Sequence, residues 1–302
     1  MGSTFDHLYS QGLLKGAPAT LLNNVQYEVV MGSLAYGVAD DDSDMDVYGF
    51  AMPPKDDLFP HLRGEVAGFD DLAPRFTQFQ QHHIIDPTAL GGRGREYDIT
   101  LYSISRYFRL LVENNPNIID SLFVPRHCVL HCTSVADMVR ERRQLFLHKG
   151  VWAKFKGYAY GQMHKLRTKV PEGSRREMVE KHGYDLKFAY HVVRLLNEVE
   201  QLLLEGDIDL MRHKEQLRAI RRGEWTLAQL EEHFSLKERA LEALYLQSAL
   251  PAQPDMTAIR ELLFNCLEQH YGRLDAVAPR PDRASAALRQ IRAVLDDLAD
   301  DH

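Results

Sequence analysis

The spacing of hydrophobic and polar residues divides the chain into an N-terminal part of mixed periodicity and a C-terminal part that is helical almost throughout. Apolar runs with a period of two predict strands, whereas apolar residues three or four positions apart predict helices. Strands are predicted at residues 25–31, 44–52 and 96–102, with a polar loop at 40–43. The predicted N-terminal helices span residues 5–14, 32–36, 103–114 and 117–123. After residue 125, helices are predicted at 134–148, 151–168, 174–182, 184–205, 214–222, 226–248, 255–271 and 283–299.

This order of elements predicts an α+β domain over residues 1–125, followed by an all-α helical domain over residues 126–302. Residues 55–95 interrupt the first domain and are rich in Gly, Pro and His. We expect an irregular insertion there, with one helix near residues 74–83. A linker that contains two prolines, residues 276–282, precedes the last predicted helix.

Charge and cysteine content limit the class of protein. The 302 residues carry 36 Lys and Arg against 43 Asp and Glu, a formal net charge of −7. This balance excludes a protein that coats nucleic acid through an overall basic charge. Three cysteines are too few for a disulfide framework and are typical of a reducing compartment. Because no apolar run approaches the roughly 20 residues of a membrane span, we expect a cytoplasmic protein without membrane contact.

The segment between the first two predicted strands has the most informative pattern. The first strand runs into Gly32 and Ser33, where a helix begins, and helix N-termini present backbone N–H groups that bind phosphate. Asp44 and Asp46 lie two positions apart on the next strand, so both carboxylates point to one face. Such a pair favours a divalent cation, above all Mg²⁺, which binds oxygen ligands. The pattern indicates phosphoryl or nucleotidyl transfer, with an acidic turn on a surface hairpin as the alternative.

The order Gly-Ser after one strand, a spacer and Asp-x-Asp on the next strand resembles the signature of the DNA polymerase β-type nucleotidyltransferase superfamily. The resemblance implies a short mixed sheet with flanking helices, a nucleoside triphosphate substrate and Mg²⁺, with Mn²⁺ also possible. It also implies a third carboxylate on a later strand. Asp98 on the strand 96–102 fits that position, and Glu96 on the same face is the alternative.

The resemblance also implies a mechanism. Asp44 and Asp46 would hold the metal that bridges the triphosphate, and Asp98 would join them on a second metal and favour attack of an acceptor hydroxyl on the α-phosphorus. Pyrophosphate would leave, stabilised by metal and by the amides of Gly32 and Ser33.

Segments 103–123, 158–162 and 182–196 are similar to the predicted nucleotidyltransferases associated with RNA ligases. In that group a helix of the type G-Y-D-x-K-x-x-x-H-x-x-R-L follows the catalytic domain. The resemblance implies a role in RNA end processing or repair, with an RNA end as the acceptor. The basic stretch 151–194 is the expected contact for the RNA backbone.

The helix in the last of these segments places Lys187, His191 and Arg194 on one face, because they are four and three positions apart. We expect these side chains to bind the β- and γ-phosphates opposite the metal, and a solvated basic stripe is the alternative. The helical domain would then close over the nucleotide.

Two other functions fit the same pattern. One is nucleotidyl transfer to a protein or small-molecule hydroxyl, and the other is a non-catalytic module that binds a nucleotide or a partner.

Two weaker signals have more ordinary explanations. Residues 127–132 resemble half of a zinc site but suit a short strand better. His82 and His83 could contact a base or a metal, although loop histidines without such a role are more common.

Overall fold

A computed structural model describes residues 2–38, 44–169 and 173–274, together with residue 291. The predicted loop at 40–43, the linker at 276–282 and, apart from residue 291, the helix at 283–299 lie outside the described residues.

The described strands form one five-stranded mixed sheet, which confirms the predicted fold class. The order across the sheet is β3-β4-β2-β1-β5. Strands β2 and β4 run parallel, and the other neighbouring pairs run antiparallel. The strands are β1 Val25–Val30, β2 Met45–Ala51, β3 Gln78–Asp86, β4 Arg95–Ser103 and β5 Val129–Cys132.

The prediction of a helix near residues 74–83 is wrong, because Gln78–Asp86 forms the edge strand β3. Its buried residues change from odd to even positions, with Phe79 and then Ile84 facing the core. A β-bulge causes this change: the register on β4 shifts between Gln81 and Ile84. A bulge inserts an extra residue and breaks the alternation by which a strand is recognised from sequence.

The short strand expected at residues 127–132 is present as β5, which pairs with β1. One potential zinc ligand, His131, instead donates a hydrogen bond from Nε2 to the carbonyl oxygen of Val25 at 3.1 Å. Another, Cys128, is buried. These contacts support the strand interpretation over a zinc half-site. The sheet thus receives one strand from beyond the predicted domain boundary near residue 125.

The described helices agree with most of the helical pattern. The predicted helix 134–148 ends early, and a 3₁₀ turn follows at Arg143–Phe146. Among the described helices, none is long and apolar enough to cross a membrane. The helices are α1 Thr4–Ser10, α2 Gly32–Ala35, α3 Lys55–Leu58, α4 Ala89–Gly92, α5 Ile104–Val112, α6 Pro116–Phe123, α7 Ser134–Glu141, α8 Gly150–Thr168, α9 Ser174–His182, α10 Leu186–Glu205, α11 Lys214–Arg221, α12 Leu227–Gln247 and α13 Met256–Tyr271.

The chain divides into two compact units, Met1–Pro53 with Phe76–Leu263 and Pro54–Arg75 with Phe264–His302. The first unit contains the whole sheet, and its long helix α10 is buried along most of its length and packs on α8, α11 and α12. The second unit contains α3, where Arg63 bonds to Asp57 at 3.0 Å.

Candidate active site

Two carboxylates lie side by side at the centre of the sheet. Asp46 on β2 is paired directly with Asp98 on the parallel neighbour β4. Directly opposed residues in a sheet share a face, so both side chains point the same way. Asp44 precedes β2 and lines the same cavity as Asp46. The structure therefore places Asp98, the residue expected as the third carboxylate, beside Asp46.

The loop between β1 and α2 packs directly against Asp46. Gly32 has a φ of +66°, and a Cβ at this position would lie 2.0 Å from Asp46 Oδ2. The backbone N–H of Met31 donates to the carbonyl oxygen of Asp46 at 2.7 Å. Only glycine combines this backbone conformation with such a close approach, which accounts for Gly32 before the predicted phosphate site.

The electrostatics of the pair favour a bound cation. Burial raises the pKa of Asp46, and the charges of Asp98 and Asp44 raise it further, against the opposing effect of Lys187. Burial also raises the pKa of Asp98, but hydrogen bonds from the backbone of His83 and from His82 outweigh it and lower the pKa overall. Half-buried carboxylates that repel each other and offer oxygen donors suit a divalent ion.

The bulge in β3 delivers two histidines to β4. His82 Nδ1 donates to Asp98 Oδ2 at 2.8 Å, and the backbone N–H of His83 donates to Asp98 Oδ1 at 2.8 Å. The ring of His83 also donates to Glu96, and this bond raises the pKa of His83. The sequence pattern had indicated a loop at both histidines. The sequence feature that marks them is a break in the alternation of apolar and polar residues within an otherwise strand-like segment.

A cavity of about 370 Å³ opens over Asp44 and Asp46. It brings together all of the predicted site residues from the Gly-Ser loop and two of the three from α10. It also contains Arg221 from α11, which no sequence motif had indicated. The lining residues are Gly32, Ser33, Tyr36, Asp44, Asp46, Met178, Leu186, Lys187, Tyr190, His191 and Arg221.

The motif Gly183-Tyr184-Asp185 positions the start of α10 at this cavity. Gly183 ends α9 with a φ of +82°, and Tyr184 donates to the carbonyl oxygen of Trp225 at 2.6 Å. The Asp185 side chain caps α10 by accepting from the backbone N–H of Lys187 at 2.8 Å. An N-cap side chain satisfies backbone donors that the helix leaves unpaired. The motif thus fixes where Lys187 enters the cavity.

The predicted basic face of α10 contains side chains of different character. Lys187 is exposed. Burial and the charges of Arg194 and Lys187 lower the pKa of His191 to about 3, so its ring is neutral at pH 7. His191 can therefore donate a hydrogen bond but adds no charge.

Arg194 does not join these residues at the cavity. It is buried and donates to Tyr36 and Asp120, and to Glu198 at 3.2 Å. Tyr36 in turn donates to Asp120 at 2.8 Å. The prediction that Arg194 contacts phosphate therefore lacks geometric support, because two buried carboxylates already pair with its charge. Tyr36 follows α2, so the cluster connects α10 to the Gly-Ser loop.

Arg221 contributes a second cation from the helical part of the first unit. It lies at the last residue of α11 and lines the cavity. One of its Nη atoms donates to the carbonyl oxygen of Val38 at 2.6 Å. Its position was not recognisable from sequence, because α11 carries two arginines, Arg218 and Arg221, and no motif distinguishes them.

The basic stretch 151–194 is partly paired within the protein. Lys156 on α8 bonds to Glu238 at 2.9 Å and to Glu242 at 2.6 Å on α12. Arg167 bonds to Glu231 at 2.8 Å. These side chains join two helices, so an RNA backbone would have to compete with the glutamates for them.

Comparison with known proteins identifies the family. Residues 14–286 match the model of a family described as RlaP, the RNA repair pathway DNA polymerase beta family. The chain belongs to this family. Membership in the RNA repair pathway DNA polymerase beta family confirms the predicted polymerase β-type nucleotidyltransferase relationship and supports a transferase role in RNA repair.

Two other comparisons add little to the family assignment. Among solved structures, the chain is similar to a nucleotidyltransferase-like protein from Exiguobacterium sibiricum 255-15, with 11% identity and a TM-score of 0.28. That match covers 87% of this chain and 78% of the other. No curated protein sequence matches the chain significantly.

Proposed function

We propose that the protein transfers a nucleotidyl group from a nucleoside triphosphate to a hydroxyl at an RNA end. The main support for this proposal is the direct pairing of Asp46 with Asp98, beside a cavity that is lined by Gly32, Ser33 and Lys187. Carboxylates on one side and phosphate-binding groups on the other are what nucleotidyl transfer requires. The family description supports RNA as the acceptor.

Asp44, Asp46 and Asp98 would hold the divalent metal, Mg²⁺ or Mn²⁺. Their all-oxygen donor set and the raised pKa of Asp46 fit such an ion. When bound, the metal would neutralise charge on the triphosphate oxygens. Asp98 is the better third carboxylate because it is paired with Asp46, whereas Glu96 is paired with Ile85 on the edge strand.

The other side chains of the cavity position the nucleotide. Lys187 and Arg221 supply positive charge for the phosphates, and Ser33 supplies a hydroxyl donor. His191 is neutral and contributes a hydrogen bond without adding charge. Arg194 acts through Tyr36 to hold the Gly-Ser loop, so we assign it a positioning role.

Asp98 is held as a carboxylate and can accept a hydrogen bond from the acceptor hydroxyl. The hydroxyl oxygen forms the new bond to the α-phosphorus, the bond to pyrophosphate breaks, and the hydroxyl proton leaves toward Asp98. The hydrogen bond from His82 orients the Asp98 carboxylate for this contact.

The test is incubation with each α-³²P-labelled nucleoside triphosphate, Mg²⁺ or Mn²⁺, and a pool of small RNAs. Label on RNA with the wild-type protein, and none with Asp46→Asn, is the expected result. Label on the protein itself would favour the protein-modifying alternative. Label on neither, with nucleotide binding retained, would favour a non-catalytic module.

A further inference from the structure

A second group of donor atoms lies next to the proposed catalytic carboxylates, on the side of the edge strand. Within the described part of the chain, the group of three metal-ligating side chains with all donor atoms within 4.8 Å of one another is His83, Glu96 and Asp98. Asp44 and Asp46 are not part of this group. It contains a nitrogen donor, which the set of Asp44, Asp46 and Asp98 lacks.

The fold creates this group through the bulge. Two residues, His82 and His83, occupy the place opposite the single residue Asp98. His83 has a φ of +54°, which is uncommon for a residue other than glycine. Its ring is thereby directed along β4 to Glu96 rather than across to the core. The ring is 82% exposed, so a cation from solution can reach it.

The donor chemistry selects the type of cation. Mg²⁺ binds oxygen ligands and rarely an imidazole, whereas Mn²⁺, Zn²⁺ and related transition metals bind imidazole together with carboxylates. One nitrogen and two carboxylates leave open positions for water, as in metal sites that remain exchangeable.

We propose that His83, Glu96 and Asp98 bind a divalent transition-metal cation such as Mn²⁺, at a site separate from the one formed by Asp44 and Asp46. The inference rests on the proposed function only in that the two sites share Asp98. Its consequence is that this protein distinguishes transition metals from Mg²⁺ through a residue on β3.

The test is pulsed EPR with Mn²⁺ alone, because an imidazole ligand produces ¹⁴N modulation of the Mn²⁺ signal and carboxylates do not. The wild-type protein should show this modulation, and His83→Asn should lose it. Asparagine tolerates a positive φ, so His83→Asn removes the nitrogen ligand with little effect on the bulge. His164→Ala, which removes an exposed histidine on α8, is the matched control and should retain the modulation.

Mn²⁺ affinity should fall at least ~10-fold in His83→Asn, since even an outer-shell partner of a metal is worth that much. Asp44→Asn should keep the ¹⁴N modulation while losing nucleotidyl transfer, which separates this inference from the proposed function. Absence of modulation in the wild type, or its persistence in His83→Asn, would overturn the proposal.

Discussion

Gly32 lies against the carboxylate of Asp46 so closely that a Cβ on Gly32 would be 2.0 Å from Asp46 Oδ2. The same glycine has a left-handed backbone, with a φ of +66°. The position of the proposed catalytic aspartate thus depends on a residue with no side chain.

Substitution of Gly32 by alanine should therefore displace Asp46 and abolish transfer. We expect a loss of at least ~100-fold in kcat/KM, because a catalytic carboxylate that is mispositioned by about 1 Å loses that much. The matched control is Gly12→Ala, since Gly12 has a φ of +70° but nothing within 4 Å of its Cβ position. Gly12→Ala should cost about 1 kcal/mol of stability and leave activity unchanged. Equal activity losses in the two variants would contradict the argument.

Asp46→Asn should separate catalysis from stability. Transfer should fall at least ~100-fold, since the charge stabilisation supplied by a metal ligand is worth several kcal/mol. The free energy of unfolding should stay the same or rise, because burial and the charge of Asp98 raise the pKa of Asp46 and so oppose its ionised form. Urea titration and the labelling assay measure the two quantities. Glu232→Gln, at an exposed position of α12, is the control for removing a carboxylate.

Lys187→Gln should weaken binding of the triphosphate about 10-fold, because it removes a charge contact to phosphate. The dependence of binding on salt should also become less steep. Titration of a fluorescent nucleoside triphosphate measures both effects without turnover. Lys181→Gln, at an exposed position on α9, should bind like the wild type. Unchanged affinity in Lys187→Gln would exclude the lysine from the phosphate site.

Arg194→Leu should destabilise the protein by about 3–5 kcal/mol, because Asp120 and Glu198 would remain buried without a partner. The loss should increase as the pH rises, since the unpaired carboxylates must then ionise. Tyr36→Phe should cost less, about 1–3 kcal/mol, because it removes only the 2.8 Å hydrogen bond to Asp120 and the contact to Arg194. Urea denaturation of both variants at two pH values is the measurement. A loss below about 1 kcal/mol for Arg194→Leu would be inconsistent with the ion cluster.

Glu28 should make the stability of the folded protein depend on pH. It is buried on β1 and accepts the backbone N–H of Phe5 at 2.9 Å. Burial raises its pKa from 4.5 to about 7, so the folded state binds the proton more tightly than the unfolded state. Its stabilisation is complete below pH 4.5 and is lost as the pH rises through about 7.

The loss should amount to no more than about 3 kcal/mol, since one pKa unit corresponds to about 1.36 kcal/mol. Glu28→Gln should reduce this dependence, as measured by urea denaturation at about pH 5 and about pH 8. An identical pH dependence in both proteins would show that Glu28 is not its source.

Much of the candidate site follows from local sequence. The strand that carries Asp46 and the glycine turn before it agree with patterns only a few residues long. The same holds for α10, whose start is determined by the capping side chain of Asp185. The choice of Asp98 as the third carboxylate came from the family resemblance, and its pairing with Asp46 joins strands that are distant in the sequence.

Three features depended on contacts between distant parts of the chain. Arg194 is buried rather than solvated because Asp120, 74 residues earlier, lies within reach of its guanidinium. Arg221 lines the cavity because α11 ends beside Val38, 183 residues before it. The edge strand β3 escaped prediction because its bulge reverses the alternation of buried and exposed positions.

The sequence by itself therefore determined the fold class, the family and the residues of the Asp-x-Asp strand, because hydrophobic period and turn chemistry act over a few residues. Only the tertiary structure decided which cationic side chains reach the cavity. It also decided that His82 and His83 form hydrogen bonds with Asp98. A cation that packs against buried carboxylates is held in the core by those ion pairs, whereas a cation at the cavity wall can bind a ligand. The tertiary structure determines which of these surroundings each cation has.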